Sequence, residues 1–331
     1  MHPGLLQGEK SSEMMVADGD PVLTVVVMGY RNEATILRSI RSVVDQSSDD
    51  PFEIVVVTSG GDHSADLVAQ AFPHLSVVDS SSRLFPGGAR NAGIRMARGR
   101  LVAFLAADCL AGPGWVRNRV ALHRAGHDVV AGALSIGDHD PPAARACAYL
   151  LYPARLRSHK AGPAESNQMY GLSYTRDLLG RLGPFDETLL IAEDTDMAWR
   201  LKTLGVQPWF EPSVWIQHMA PRSLIAMLAD QYKRGRRASR SWALLTIPPG
   251  PLRVAWEAKP RLHARAVVER SLRNTRWRCK TVWTSCAGNR RDLIRCGPWL
   301  VLGHVAYQLG WAVDQLTSAK PLGGAVGSAE P

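Results

Sequence analysis

Four positions carry side chains whose type and place suit chemistry on a charged substrate. Asp108 stands two residues past the apolar run Leu101–Ala106. A carboxylate at the carboxyl end of a buried strand can hold a divalent cation by one oxygen, as when Mg2+ keeps waters and takes substrate phosphates. An ordinary turn aspartate is the plainer reading. Glu193-Asp194-Thr195-Asp196 puts three carboxylates within four residues at the start of a helical pattern. That is more than a helix start needs, and the repulsion is tolerable when one of them serves a metal or a proton, although acids at helix starts also answer the dipole. His218 closes the last extended segment, either as a neutral imidazole ligand or as a satisfied surface histidine. Arg90 lies in Pro86-Gly87-Gly88-Ala89-Arg90-Asn91, where glycines let backbone approach a ligand and a guanidinium can meet a phosphate. This segment has neither the G-K-[ST] of a P-loop nor the spacing of a dinucleotide fingerprint.

The elements that must position these residues follow from periodicity. Val22–Met28 is apolar, β-branched and of strand length, and Gly29 ends it. Asn32 is placed to cap a helix whose apolar Ile36, Ile40, Val43 and Val44 share one face, with Glu33 suiting its dipole. The alternation continues with a strand over Glu53–Thr58, a helix over Ser64–Phe72, a strand over Leu75–Val78, a helix over Ala89–Ala97 and the strand Leu101–Ala106. Continuous apolar strands alternating with helices predict a parallel sheet covered on both faces. Ligands bind such sheets beyond the strands' carboxyl ends, which singles out the loops Gly29–Asn32, Thr58–Asp62 and Ala106–Leu110. Further on, the pattern predicts a helix to Leu122, a strand over Asp128–Leu134, a helix from Pro141-Pro142 to about Leu156, a helix over Glu193–Leu204 and an extended segment over Pro208–Gln217.

With 331 residues, 46% hydrophobic and 21% charged, the chain has ample material for a core and is not a disordered polymer. Its five cysteines, Cys109, Cys147, Cys279, Cys286 and Cys296, form no C-x-x-C pair, which reads as a reducing compartment. Residues 1–20 have neither the basic start nor the apolar stretch of a signal peptide and read as a disordered leader.

Taken in order, Tyr30-Arg31-Asn32-Glu33-Ala34-Thr35-Ile36, the strand Glu53–Val57, Gly88-Ala89-Arg90-Asn91, Phe104-Leu105-Ala106-Ala107-Asp108, Gly183-Pro184-Phe185-Asp186-Glu187 and Glu193-Asp194-Thr195-Asp196 resemble the family 2 glycosyltransferases. The resemblance covers roughly Pro21 to Arg240. It implies a GT-A fold: a Rossmann-like, mostly parallel α/β sheet flanked by helices, over residues 21–240. It implies a nucleotide-diphosphate sugar as donor, Mg2+ or Mn2+ as cofactor, and inverting transfer to a hydroxyl acceptor whose identity the chain does not disclose. On that basis Asp194 is the expected general base, and Asp108 and His218 are the expected metal contacts. Tyr30, Asn32, Glu33, Thr58, Ser59, Arg90, Asp108 and Glu193 are the expected donor contacts. There are two departures. Thr58-Ser59-Gly60-Gly61 replaces the Asp-Asp or Asp-Gly-Ser usual after the second strand, and Ala106 replaces the first aspartate of the D-x-D motif, with Asp62 a compensating candidate for that missing carboxylate. A retired GT-A scaffold that only binds nucleotide is the competing reading.

After Arg240 the composition changes. Residues 251–300 hold twelve Lys+Arg against three acids, an excess equal to the whole chain's net charge of +9. Residues 241–317 are expected to form a basic helical extension and 318–331 a flexible tail. Nucleic acid is not an expected partner, since no recognition motif accompanies the charge. Peripheral contact through 251–316 with the inner, cytoplasmic face of a membrane is expected, at about 1 kcal/mol per basic residue near an anionic leaflet. In Trp299–Leu316, His304, Gln308 and Gln315 make one polar stripe. The stripe suggests an interfacial helix anchored by Trp299 and Trp311, or an amphipathic helix packed back on the domain. Gln231-Tyr232-Lys233-Arg234-Gly235 lies where processive relatives carry Q-x-x-R-W, and the glycine in place of tryptophan predicts single transfers.

Overall fold

The computed structural model describes residues 20–164, 171–241 and 264–317. The expected leader, save Asp20, the tail 318–331 and residues 242–263 lie outside the described residues.

The first half builds as its periodicity predicts. β1 (Leu23–Tyr30) leads through α1 (Ile36–Val44) to β2 (Phe52–Ser59), and α2 (Ser64–Ala71) leads to β3 (Ser76–Ser80). Then α3 (Pro86–Met96) carries the chain back to β4 (Leu101–Ala106), which lies on the other side of β1. All three ladders are parallel. Both faces of β1 are buried: Val25 and Val27 pack with Ile36, Ile40 and Trp115, while Val26 packs with Phe104, Tyr174 and Met197. Each such side chain contributes about 1.5–3 kcal/mol by leaving water. Because β2 and β4 leave β1 in opposite directions, the carboxyl ends of β1 and β4 form the switch point at which this architecture opens a crevice.

After β4 the sheet turns mixed. β5 (Cys109–Ala111) follows a two-residue turn, and α4 (Trp115–Arg124) leads to β6 (Val129–Ser135). α5 (Pro142–Leu151) stops at Leu151, and a single 3-10 turn over Pro153–Arg155 replaces the expected continuation to Leu156, because Pro153 cannot supply the next helical donor. β7 (Gly162–Pro163) and β8 (Ser173–Thr175) precede α6 (Arg176–Leu182), α7 (Glu193–Thr203) and β9 (Trp209–His218). The sheet order is β3-β2-β1-β4-β8-β6-β9-β5, with β7 on β9. β8 lies antiparallel between β4 and β6, and β9 is parallel to β6 but antiparallel to β5. The mostly parallel sheet expected is thus a parallel core with short antiparallel insertions.

The helical extension comprises α8 (Leu224–Ser241), α9 (Ala264–Ser285), α10 (Arg290–Arg295) and α11 (Gly297–Thr317). It is docked on α5: Arg145 holds both oxygens of Asp292 at 3.0 Å, and Leu134, Tyr149, Tyr152, Cys286, Leu293 and Cys296 share a core. α8 and α11 cross at glycines. A Cβ on Gly235 would stand 2.0 Å from the carbonyl oxygen of Tyr307, and one on Gly310 would stand 2.1 Å from that of Tyr232. That contact accounts for glycine at the position where processive relatives carry tryptophan. Among the described residues no helix is long and apolar enough to cross a membrane.

The stripe His304, Gln308 and Gln315 does not face outward as an interfacial helix requires. Thr275 Oγ1 lies 2.7 Å from His304 Nε2, Gln308 reaches the same nitrogen at 3.2 Å, and Gln315 donates to Ser239 Oγ at 2.7 Å. Trp311 is buried, and Trp299 packs by Met227. Polar groups seek partners inside the helical cluster, so the face of α11 left to solvent is the apolar one.

Candidate active site

The loop after β1 is held in an uncommon conformation. Arg31 has φ +54°, its Nε donates to Gly60 O at 3.0 Å, and its amide donates to Ser59 O. Asn32 serves this loop and does not cap α1 with its side chain: Oδ1 accepts from the Tyr30 amide at 2.8 Å, and its carbonyl accepts from Thr35 and Ile36. Glu33 accepts from the His63 amide at 2.6 Å, which ties the first loop to the second. The Tyr30 ring, 39% exposed, lies against Arg83 at 4.5 Å and over Gly60. A Cβ at Gly60 would meet that ring at 2.5 Å, and its φ of +99° also favours glycine.

Thr58 and Ser59, expected as donor contacts, are buried. Their hydroxyls donate inside the fold, Thr58 to Asp79 Oδ1 at 2.6 Å and Ser59 to Gly29 O. Asp62, the compensating candidate, is committed to the start of α2, accepting from the Ser64 amide and hydroxyl. Asp79, exposed at the end of β3, pairs with Thr58 in the β2–β3 ladder. Sequence reasoning missed it. The signal was a single acid ending an otherwise apolar strand run.

On the opposite wall three segments of the resemblance come together. Asn91 donates to Phe185 O at 2.9 Å and to Glu187 Oε1 at 2.8 Å, and accepts from the Phe185 amide. Arg90, sandwiched by Phe104 and Phe185, ion-pairs with Glu193. The two are engaged with one another, and Arg90 also lines the cleft that Asp194 faces. Burial works against the charge on Arg90, but Glu193 and Asp194 hold its pKa above the ordinary value. Burial and then Asp194 push the Glu193 carboxyl up against the pull of Arg90. Ala192, φ +74°, immediately precedes this pair. Arg31 and Ala192 are the two non-glycine residues with positive φ among the described residues, one in the loop after β1 and one two residues before Asp194. Stored strain of this kind clusters at functional sites.

Asp194 keeps one oxygen for the Thr195 amide at 2.8 Å and lines a cleft with Met28, Arg90, Ala106, Tyr174 and Phe185. Asp108 sits on the turn between β4 and β5. Its Oδ2 lies 3.3 Å from His218 Nε2, because Cys109 and His218 are register partners in the β5–β9 ladder. Burial would raise the Asp108 pKa, but His218, a 3.5 Å hydrogen bond from Cys109 Sγ, and Arg234 together hold it below the usual carboxylate range. The Tyr152 ring stands 5.9 Å from His218. Arg234 of α8, which adds to the lowering at Asp108, bonds Asp230 at 2.7 Å. Among the described residues no cluster of three potential ligands occurs. Asp108 and His218 supply one hard oxygen and one imidazole nitrogen, a pair that suits a cation completing its shell with phosphate oxygens and water.

A switch-point cleft in a mixed sheet of this order, with a carboxylate-bearing turn after β4 and an acidic helix start facing it, defines a GT-A fold. The mannosyltransferase PcManGT from Pyrobaculum calidifontis, solved in complex with GDP-Man and Mn2+, shares the fold with a TM-score of 0.57 and 22% identity, over 92% of this chain and 89% of that one. Residues 24–171 match the model described as glycosyl transferase family 2. It is 30% identical over 224 residues to the succinoglycan biosynthesis protein ExoO of Rhizobium meliloti (strain 1021), covering 64% of each chain. It is 33% identical over 198 residues to the validoxylamine A glucosyltransferase of Streptomyces hygroscopicus subsp. limoneus, covering 58% of this chain and 34% of that one. The chain thus spans less than two thirds of the length of these two relatives.

Proposed function

We propose that the protein is an inverting glycosyltransferase that moves a sugar from a nucleotide-diphosphate donor to a hydroxyl acceptor, one transfer at a time, at the cytoplasmic face of a membrane. The observation that carries the reading is the convergence of Asp194, Arg90 and Ala106 on one cleft at the switch point, with the Asp108–His218 pair on the β4–β5 turn.

The acceptor hydroxyl is a poor nucleophile until its proton has somewhere to go. Asp194 takes that proton on its second carboxylate oxygen as the acceptor oxygen bonds to the anomeric carbon from the face opposite the leaving group. The bond from that carbon to the diphosphate breaks, and its electron pair leaves with the nucleotide. A placed carboxylate base contributes typically ~10²–10⁴-fold. Arg90 and Glu193 hold the amino-terminal turn of α7, and with it Asp194, against α3. Tyr30, Asn32 and Glu33 shape the nucleoside side of the donor site, with Asp79 in place of the family's usual aspartate. Asp108 and His218 are the residues that would hold a divalent cation, whose chemistry there is to neutralise charge on the departing diphosphate.

Ala106 lines the cleft where the first D-x-D carboxylate would stand, and this one observation favours the second reading, a nucleotide-binding scaffold without transfer. Calorimetric titration with uridine, guanosine, thymidine, adenosine and cytidine diphosphates, with and without Mn2+ or Mg2+, tests the donor site. Metal-dependent binding of one base that is lost in Asp108→Ala supports it, and no binding under any condition refutes it.

A further inference from the structure

The helical extension leaves a surface that the donor site does not use. α9 and α11 meet at Thr275 and His304 and part into an open cleft of about 660 Å3, walled by Leu150, Val268, Leu272, Ile294, Val305 and Leu309. Beside it α11 turns Val301, Leu302, Val313 and Leu316 to solvent as well, without a charged group among them. Contiguous exposed apolar surface marks a protein or a membrane contact.

The charge around this face decides between them. Arg265, Arg273, Arg276 and Lys280 run along α9 at spacings that place them on one flank, next to the stripe of Val268, Leu272 and Trp283. All four are exposed, and Glu269 is the one acid among them, bonded to Arg265 at 2.9 Å. Trp277 and Trp283 are 59% and 50% exposed. An apolar face, a basic flank and exposed tryptophans together describe a helix that lies in a membrane interface and favours anionic lipid. The cleft floor also carries unpaired hydrogen-bonding atoms, His304 Nδ1 and Gln308 Oε1.

We infer that the cleft between α9 and α11 receives the hydrocarbon chains of an anionic leaflet, whose headgroups meet Arg273, Arg276 and Lys280. The inference rests on the peripheral-membrane part of the proposed function and changes the anchors expected to do it: Trp311 is buried and Trp299 packs by Met227, while Trp277 and Trp283 are exposed. It also places the membrane beside the chemistry. Leu150 walls the cleft, and two residues later Tyr152 stands against His218.

Flotation with phosphatidylcholine vesicles, with and without phosphatidylglycerol, tests this on the full chain. The wild type is expected to float with the anionic vesicles. Val305→Asp/Leu309→Asp, at positions already about half exposed, should abolish flotation while circular dichroism and nucleotide binding stay unchanged. Arg273→Gln/Arg276→Gln/Lys280→Gln should weaken anionic-vesicle binding about a hundred-fold. No flotation of the wild type, or flotation that neither variant alters, overturns the inference. So does a dimer in solution that the aspartate pair makes monomeric while vesicles bind neither form, because a second copy would then cover the cleft. Flotation without transfer to any acceptor would refute the proposed activity and leave this surface standing. Transfer without flotation would do the reverse.

Discussion

Arg90 and Glu193, 103 positions apart in the chain, form a buried ion pair that fastens α3 to the start of α7, one residue before Asp194. Their side chains are 14% and 8% exposed, so loss of one partner leaves a desolvated charge. Arg90→Met is expected to cost about 3–5 kcal/mol in urea unfolding, and Arg90→Met/Glu193→Leu to recover most of it. Single variants within about 0.5 kcal/mol of the wild type, the range of ordinary surface substitutions, would show that the pair does not hold the wall.

Asp79, which we propose stands at the nucleoside side of the donor site, accepts a hydrogen bond from the Thr58 hydroxyl. A hydrogen bond to a charged group is worth about 1.5–3 kcal/mol. Asp79→Asn is therefore expected to weaken the preferred nucleotide by roughly ten- to hundred-fold and to narrow its lead over the other bases, read by calorimetry. An unchanged preference would exclude Asp79 from base reading.

The crossing of α8 and α11 depends on Gly235 and Gly310. Gly235→Ala and Gly310→Ala each push a methyl into backbone and should lower stability by about 1–3 kcal/mol. Gly288→Ala, whose Cβ meets nothing within 4 Å, is the control. Thermal unfolding of the three variants checks it, and equal midpoints would contradict the packing.

Acid should destabilise the protein in a defined window. Burial first, with nearby Arg119 contributing for His123 and Arg278 for His304, lowers both pKa values from 6.5 to about 4. Between those values the unfolded chain binds more protons than the folded one, so this contribution is complete above about pH 6.5 and is lost as pH falls toward 4. Melting temperature measured across that range should fall, and His123→Gln should flatten part of the fall.

What the sequence made legible was what repeats. β1 and β4 read correctly because both of their faces are buried, leaving an unbroken apolar run, and the crevice followed from strand order. β5, β7 and β8 were not legible, since two or three residues have no period; long-range pairing with β4, β6 and β9 makes them strands. The same limit applies within the site. Asp108 and Asp194 stood out by position, but the commitment of Thr58 to Asp79 and of Arg90 to Glu193 depends on partners 21 and 103 residues away. In α11 the polar stripe was read correctly as one face, and its direction was open because the partner helices lie elsewhere in the chain.

Asp194→Asn, with donor binding and product formation measured on the same preparation, separates loss of the acceptor's proton from loss of donor binding. If Asp194 takes that proton, nucleotide affinity is unchanged and turnover falls ~10²–10⁴-fold. Product formation at the wild-type rate would remove Asp194 from the mechanism.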